Sequence, residues 1–320
     1  MSSFLVLSGG LSPERDVSLR SGRRVAEALR LVVNAEVLEA DVDAGLIQSL
    51  LNLQPDCVIP VLHGAAGEDG ALRDVLTSMQ LPYIGATGAA ARLAFEKPVA
   101  KALLAQAGVS TPAVLALPHA TFRELGATAL LDGIRDYLGL PIMVKPSSGG
   151  SALGCSIVRT AQDFPPAMVG AFAYSEFAMM EQYIKGTEVA ISVLETNDGI
   201  TALPAVEIVP QSGIYDYNSR YTAGTTEFFV PARLSSDVTA ECARIAVLAH
   251  QVLGLRDWSR TDLIIDESGT PWFLETNAAP GLTETSLYPQ ALAAAGLNLG
   301  EVTKALVEHA ILRNERAFTA

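Results

Sequence analysis

The chain has 320 residues, 49% of them apolar and 18% charged, and carries a formal charge of −13. That composition belongs to a folded protein with room for two or three domains, not to a disordered one. The acidity excludes a broad surface for phosphate backbones, so nucleic acid is not an expected partner, although a small basic nucleotide pocket stays open. Met1-Ser2-Ser3 runs into strand-like Phe4–Leu7 without a basic region or cleavage site, and no apolar run reaches the roughly 20 residues of a membrane helix. Cys57, Cys155 and Cys242 are too few and too scattered for a disulfide framework, so a reduced, cytoplasmic setting is expected.

Short apolar runs alternate with helix-period segments, which predicts an α/β chain. Phe4–Leu7 reads as a strand, and Ser8-Gly9-Gly10 turns into a helix over about Glu14–Leu31. Within that turn the Ser12/Glu14 region reads equally as plain helix capping or as a ligand site, with Glu14 taking an ammonium group. Cys57–Leu62, apolar on both faces, reads as a parallel strand covered by helices. His63-Gly64 follows at its carboxyl end, where open α/β sheets place ligands. A helix from about Pro98 to Ala107 has proline near its start and Gly108 past its end. Lys97 sits where a helix dipole disfavours a cation; a phosphate would offset that, and a solvated surface lysine is the other reading. Ile142–Lys145, Cys155–Arg159 and Thr187–Leu194 read as antiparallel strands, and Asp237–Leu253 as an amphipathic core helix ended by Gly254. Boundaries near 95 and 185 divide the chain into units 1–95, 96–185 and 186–320.

The segment from Lys145 to Gly154 is a glycine- and serine-rich loop between two strands. Its small residues let backbone amides converge on an anion, and Lys145 can reach the same phosphates. It is no Walker A loop, because Gly-Lys-Ser/Thr is missing and a strand follows instead of a helix. Glu181 and Glu188 lie where two strands meet, and read either as acceptors for nucleotide groups or as surface acids. Tyr215–Gly224, with three tyrosines in seven residues, reads as a lid that excludes water.

Thr261–Ile265 and Trp272–Asn277, joined through Glu267-Ser268-Gly269-Thr270, read as a hairpin that pairs Asp262 with Glu275. Glu275 and Asn277, two apart, share a face. Two carboxylates and an amide carbonyl are hard oxygen donors suited to Mg²⁺ beside phosphates. The chain then runs through Ala278-Ala279-Pro280-Gly281-Leu282-Thr283 into a helix. There the Gly281 amide can meet an oxyanion, and Ser286 with the helix-start amides can hold a carboxylate.

In this order the segments resemble the D-alanine–D-alanine ligase family of the ATP-grasp superfamily, over essentially the whole chain. The motifs that carry the likeness are Leu7-Ser8-Gly9-Gly10 with Glu14-Arg15-Asp16-Val17-Ser18, His63-Gly64 with Gly67-Glu68-Asp69-Gly70, Tyr215-Asp216-Tyr217, and Asn277 with Pro280-Gly281-Leu282-Thr283. The resemblance implies an α/β (α+β) ATP-grasp fold: an N-terminal Rossmann-like domain with a parallel sheet, then two ATP-binding subdomains with antiparallel sheets. It implies ATP as cosubstrate, two Mg²⁺ ions with Mn²⁺ as a substitute, amino acid substrates, and a cytoplasmic homodimer with neither nucleic acid nor membrane as partner. The product would be D-alanyl-D-alanine for peptidoglycan; a paralogue joining D-alanine to another amino or hydroxy acid is the alternative.

By the same resemblance Lys97, Lys145, Ser151 and Arg220 would face the phosphates, and Glu181 and Glu188 the adenosine end. Asp262, Glu275 and Asn277 would be the metal ligands. Glu14 would bind the first ammonium with His63 nearby, Arg260 and the Gly281 amide would stabilise the oxyanion, and Ser286 with the Leu287 amide would hold the second carboxylate. Glu14, Ser151 and Tyr221 would tie the lid to the active site. Four places depart from the family's pattern: Arg220 stands for lysine, Ala152 for a hydroxyl residue, Ala278-Ala279 for larger or polar residues, and Thr285 for other side chains beside Ser286.

Overall fold

A computed structural model describes residues 2–222 and 224–319, without the side chains of Asn218, Tyr221 and 316–319. Strands β1 (Ser3–Ser8), β2 (Glu36–Asp41) and β3 (Cys57–Pro60) form a parallel sheet in the order β2-β1-β3. Both faces of β1 are covered. Phe4 and Val6 pack with Val25 and Leu29 on one side, while Leu5 and Leu7 pack with Leu46, Leu50 and Leu76 on the other. That is why the strand is a continuous apolar run without polar alternation.

Strands β4 (Val114–Pro118), β5 (Ile142–Pro146), β6 (Ser156–Val158) and β7 (Phe177–Gln182) make an antiparallel sheet in the order β4-β7-β5-β6. A second antiparallel sheet takes β8 (Gly186–Thr196), β9 (Gly199–Ala202), β10 (Val206–Pro210), β11 (Thr226–Phe229), β12 (Trp258–Asp266) and β13 (Pro271–Asn277). Its order is β11-β10-β8-β12-β13, with β9 paired to β8. Along β8 the period of two sorts the side chains. Val189, Ile191 and Val193 meet Cys242, Ile245 and Ala249 of the Ser236–Val252 helix, while Ala190 and Leu194 join the core under β1. Each valine, leucine or isoleucine among them stabilises by about 1.5–3 kcal/mol on burial.

The predicted helices and strands recur with ends shifted by one to three residues, the largest shift being at β12, which begins at Trp258 and not Thr261. The Tyr215–Gly224 segment, expected as irregular loop, contains a single helical turn at Tyr217–Tyr221. The final helix, Leu299–Thr319, returns to the first sheet: Val302, Leu306 and Val307 share a core with Val25, Ala26 and Leu29. No helix among the described residues is long and apolar enough to cross a membrane.

Candidate active site

The two antiparallel sheets enclose a cavity of about 540 Å³, lined by Lys145 and Glu181 from one sheet and Glu188, Asp262 and Glu275 from the other. The β12–β13 hairpin builds its floor. Asp266 closes the turn, accepting from the Ser268 and Thr270 amides and from the Trp272 indole N–H. With the turn fixed, Arg260 stands opposite Asn277 and Asp262 opposite Glu275, before a bulge at Asp262/Leu263. On the far side of β12, Ile264 pairs with Glu188 of β8. Alternate positions share a face, so Glu188, Arg260, Asp262, Glu275 and Asn277 look into one cleft.

Arg260 grips Asp262 with both prongs, Nε at 2.7 Å and Nη2 at 2.8 Å, and the Asn277 amide approaches Asp262 at 3.4 Å. Burial alone would favour the neutral acid at Glu275. Lys97, Lys145, Arg220 and Arg260 outweigh it and bring that carboxyl down to about 2. Lys97 makes the nearest contact, 3.4 Å from Glu275, and donates to the Gly149 carbonyl of the glycine-rich loop at 2.6 Å.

Deeper in the cleft Glu181 is buried between Lys145 at 2.5 Å and Lys101 at 2.9 Å. Burial disfavours its charge, but the two ammonium groups hold the carboxyl below its ordinary range. Lys101 also donates to the Phe273 carbonyl at 2.9 Å, and burial draws its ammonium down to about 8. Glu188 is raised to about 7 by burial, with Arg220 opposing. Arg220 donates from Nε to the Tyr215 carbonyl at 3.3 Å, and its guanidinium lies 4.3 Å from the Tyr215 ring centre, within cation–π range.

A smaller cavity of about 80 Å³ adjoins the first, sharing Gly150, Tyr215, Arg220 and Glu275 with it. Glu14 and Ser151 line it, and the Ser151 hydroxyl donates to the Glu14 carboxylate. Glu14 is the N-cap of the Arg15–Arg30 helix but makes no side-chain cap, which leaves its carboxylate for the pocket. Burial raises its pKa, and the Ser151 bond works against that rise. The loop comes this close because residue 150 is glycine; a Cβ there would lie 2.9 Å from Glu14 Oε2. Ser151 and Ala152 both hold φ of +56°, a left-handed conformation that side-chain-bearing residues keep only under constraint.

His63 reaches the same pocket, with both ring nitrogens engaged. Nδ1 is 3.1 Å from the Ala279 carbonyl and Nε2 is 3.0 Å from Ser21 Oγ. A carbonyl only accepts, so Nδ1 carries the proton and Nε2 accepts from Ser21. Burial lowers the ring to about 4, which keeps it neutral. Ser286 stands at the N-cap position of the Leu287–Ala294 helix without a side-chain cap bond, and the first-turn amides have no intrahelical partner. Its hydroxyl accepts from the Thr283 amide at 3.0 Å, and a Cβ at Gly281 would come 2.9 Å from it. The Tyr221 side chain lies outside the described residues.

Three residues at the site escaped the sequence reading. Lys101 is one helical turn beyond Lys97, and that i, i+4 spacing was its available signal. Glu68, in the Gly67-Glu68-Asp69-Gly70 motif, is buried beside Glu14, accepts from the Gly64 amide at 3.0 Å, and is raised to about 8 by burial. Arg24 on the first helix reaches the loop after Gly281, and nothing local marks it.

Residues 103–308 match the family model for the D-ala D-ala ligase C-terminus. The chain is 37% identical over 306 residues to a D-alanine–D-alanine ligase of Moorella thermoacetica, covering 96% of this chain and 98% of the relative. It is 39% identical to one of Nitrosomonas europaea, with 95% of each covered. Among solved structures, the VanG D-Ala:D-Ser ligase of Enterococcus faecalis superposes with a TM-score of 0.83 at 26% identity, covering 97% of this chain and 99% of that one. The D-alanine–D-alanine ligase of Bacillus anthracis does so with 0.83 at 25%, covering 99% and 100%. The matched length, the shared fold and a cleft between two antiparallel sheets place this chain in the D-alanine–D-alanine ligase family.

Proposed function

We propose that this chain is an ATP-dependent D-alanine–D-alanine ligase that makes D-alanyl-D-alanine for peptidoglycan. The observation that carries the reading is the junction of two cavities. One is of nucleotide size and one of amino-acid size, and Gly150, Tyr215, Arg220 and Glu275 line both.

In this reading ATP enters the larger cavity, with Lys97, Lys145 and Arg220 supplying positive charge to its phosphates. The first D-alanine lies in the smaller one, its ammonium on Glu14. Its carboxylate attacks the γ-phosphorus, the bond to the bridging oxygen breaks, and ADP leaves behind an acyl phosphate. The amine of the second D-alanine adds to the acyl carbon, and of the two protons its ammonium gives up on becoming an amide, one leaves on the departing phosphate and one passes to solvent. The tetrahedral oxyanion faces Arg260 and the Gly281 amide, and phosphate departs as the amide forms. Phosphoryl transfer asks for positioning and charge neutralisation, which this cationic cleft offers. An acyl phosphate hydrolyses readily, so the glycine-rich loop held by Glu14 and the lid behind Arg220 have water to exclude.

The donor set suits Mg²⁺. Asp262 and Glu275 offer carboxylate oxygens, which Arg260 and Lys97 balance in this structure, and Asn277 adds an amide oxygen to the set. Two carboxylates leave coordination positions for phosphate oxygens and water, the usual protein share for this ion. These three residues would hold it, and it would neutralise charge on the transferring phosphoryl group.

The test mixes purified protein with ATP, Mg²⁺ and each D- or L-amino acid singly, following phosphate release and identifying products by mass. D-alanine alone is expected to release phosphate and yield the dipeptide, and Asp262→Asn to lose at least about 100-fold while staying folded. Silence with D-alanine alone, followed by turnover once a second compound is added, moves the chain to a paralogue with a different acceptor. Full turnover by Asp262→Asn removes the metal assignment.

A further inference from the structure

Arg24 sits on the Arg15–Arg30 helix, the helix that carries Glu14 at its start. Its Nη1 donates to the Thr283 carbonyl at 2.6 Å and to the Leu282 carbonyl at 3.2 Å. Ser21, three residues earlier and so on the same helix face, accepts from the Leu282 amide at 3.2 Å. One helix therefore holds Leu282 at both ends of the residue, the N–H through Ser21 and the C=O through Arg24.

The rest of the turn is closed on itself. The Thr283 amide donates to Ser286 Oγ at 3.0 Å, and the Ser286 amide donates to the Thr283 carbonyl at 3.1 Å. Thr283 and Ser286 also share a hydroxyl–hydroxyl bond at 2.7 Å. Either hydroxyl can donate in that bond; with Thr283 Oγ1 as donor, Ser286 Oγ accepts twice and its own proton is left for a ligand. The Thr283 carbonyl thus receives both the Arg24 guanidinium and the Ser286 amide. Arg24 meets neutral carbonyls here, so its charge also adds to the positive end of the Leu287–Ala294 helix.

We infer that Arg24 is a positioning residue for the second amino acid substrate: it sets the 282–287 turn so that the Ser286 hydroxyl and the Leu287 amide receive that substrate's carboxylate. The inference rests on the ligase reading above. It separates the two amino acid sites, because Glu14 and Arg260 stand on elements that do not depend on the Arg24 contact.

The test is steady-state turnover against D-alanine at saturating ATP, resolved into its two D-alanine terms, for wild type, Arg24→Ala and Arg24→Lys. Losing a hydrogen bond from a charged donor is expected to raise the second KM by about tenfold or more in Arg24→Ala. The first D-alanine term, KM for ATP and kcat stay within about twofold, and Arg24→Lys recovers part of the loss. A melting temperature within a few degrees of wild type accompanies this, because Arg24 is only half-buried. An unchanged second KM, or a uniform loss across all three substrates, overturns the inference. Wild type silent with D-alanine alone is a failure of the ligase reading instead, and the same split is then read with the acceptor that wild type does use.

Discussion

The Ser151 hydroxyl donates to the Glu14 carboxylate across 137 residues of chain. This contact fastens the glycine-rich loop after β5 to the start of the first helix, and so joins the wall of the larger cavity to that of the smaller one. Both residues are buried, which makes the bond costly to lose: a buried carboxylate stripped of a donor keeps its desolvation penalty.

Ser151→Ala is expected to lower kcat/KM by about 10- to 150-fold, the range for a hydrogen bond to a charged group. The pH profile gives a sharper readout. Burial raises the Glu14 pKa and Ser151 opposes the rise. Removing the hydroxyl raises the pKa further, so activity that needs the ionised carboxylate falls off at higher pH as the solution is acidified. An acid limb at the wild-type position in Ser151→Ala would count against Glu14 as the ammonium site.

Glu68 gives a stability signature. Burial lifts its carboxyl from 4.5 to about 8, so between those values the folded state holds a proton that the unfolded chain has released. With more protons bound when folded, stability falls as pH rises through that window, by on the order of 1 kcal/mol per unit. Urea denaturation of wild type and Glu68→Gln at pH 5.5 to 8.5 (roughly the span of the window) measures the difference, which isolates Glu68 from Glu188 and other groups that titrate there. Parallel slopes for the two proteins would refute the shift.

Lys101 is expected to matter through Glu181. In Lys101→Met the Phe273 carbonyl loses its donor and Glu181 keeps Lys145 alone. Breaking one side of a buried ionic contact costs about 3–5 kcal/mol. A drop of that size in urea denaturation, with a raised KM for ATP and unchanged amino acid KM values, is the expected pattern. A variant as stable as wild type would show that Lys145 suffices for Glu181.

Local pattern carried much of this molecule. The pairing of Asp262 with Glu275 was legible, but not its route: a four-residue loop sets Ile265 against Trp272, whereas Ile265 pairs with Pro271, and the bulge at Asp262/Leu263, which no period signals, brings Glu275 back opposite Asp262. The Tyr215–Gly224 segment was harder to read. Three tyrosines marked Tyr215–Gly224 as a segment that needs cover, but the helical turn at Tyr217–Tyr221 has too few residues to show a period. Lys101 lay on the helix face of Lys97 and was passed over because a lysine on a helix ordinarily belongs to solvent.

By itself the sequence determined what depends on neighbours along the chain: the covered strand β1, the hairpin, the glycine-rich loop, and the oxygen donors they present. Only the tertiary structure decided what depends on packing between distant segments. Glu14 meets Ser151 over 137 residues, Arg24 meets Thr283 over 259, and the Leu299–Thr319 helix shares the core of the first. No period or spacing encodes such meetings, because they follow from how sheets and helices already formed bury their apolar faces together.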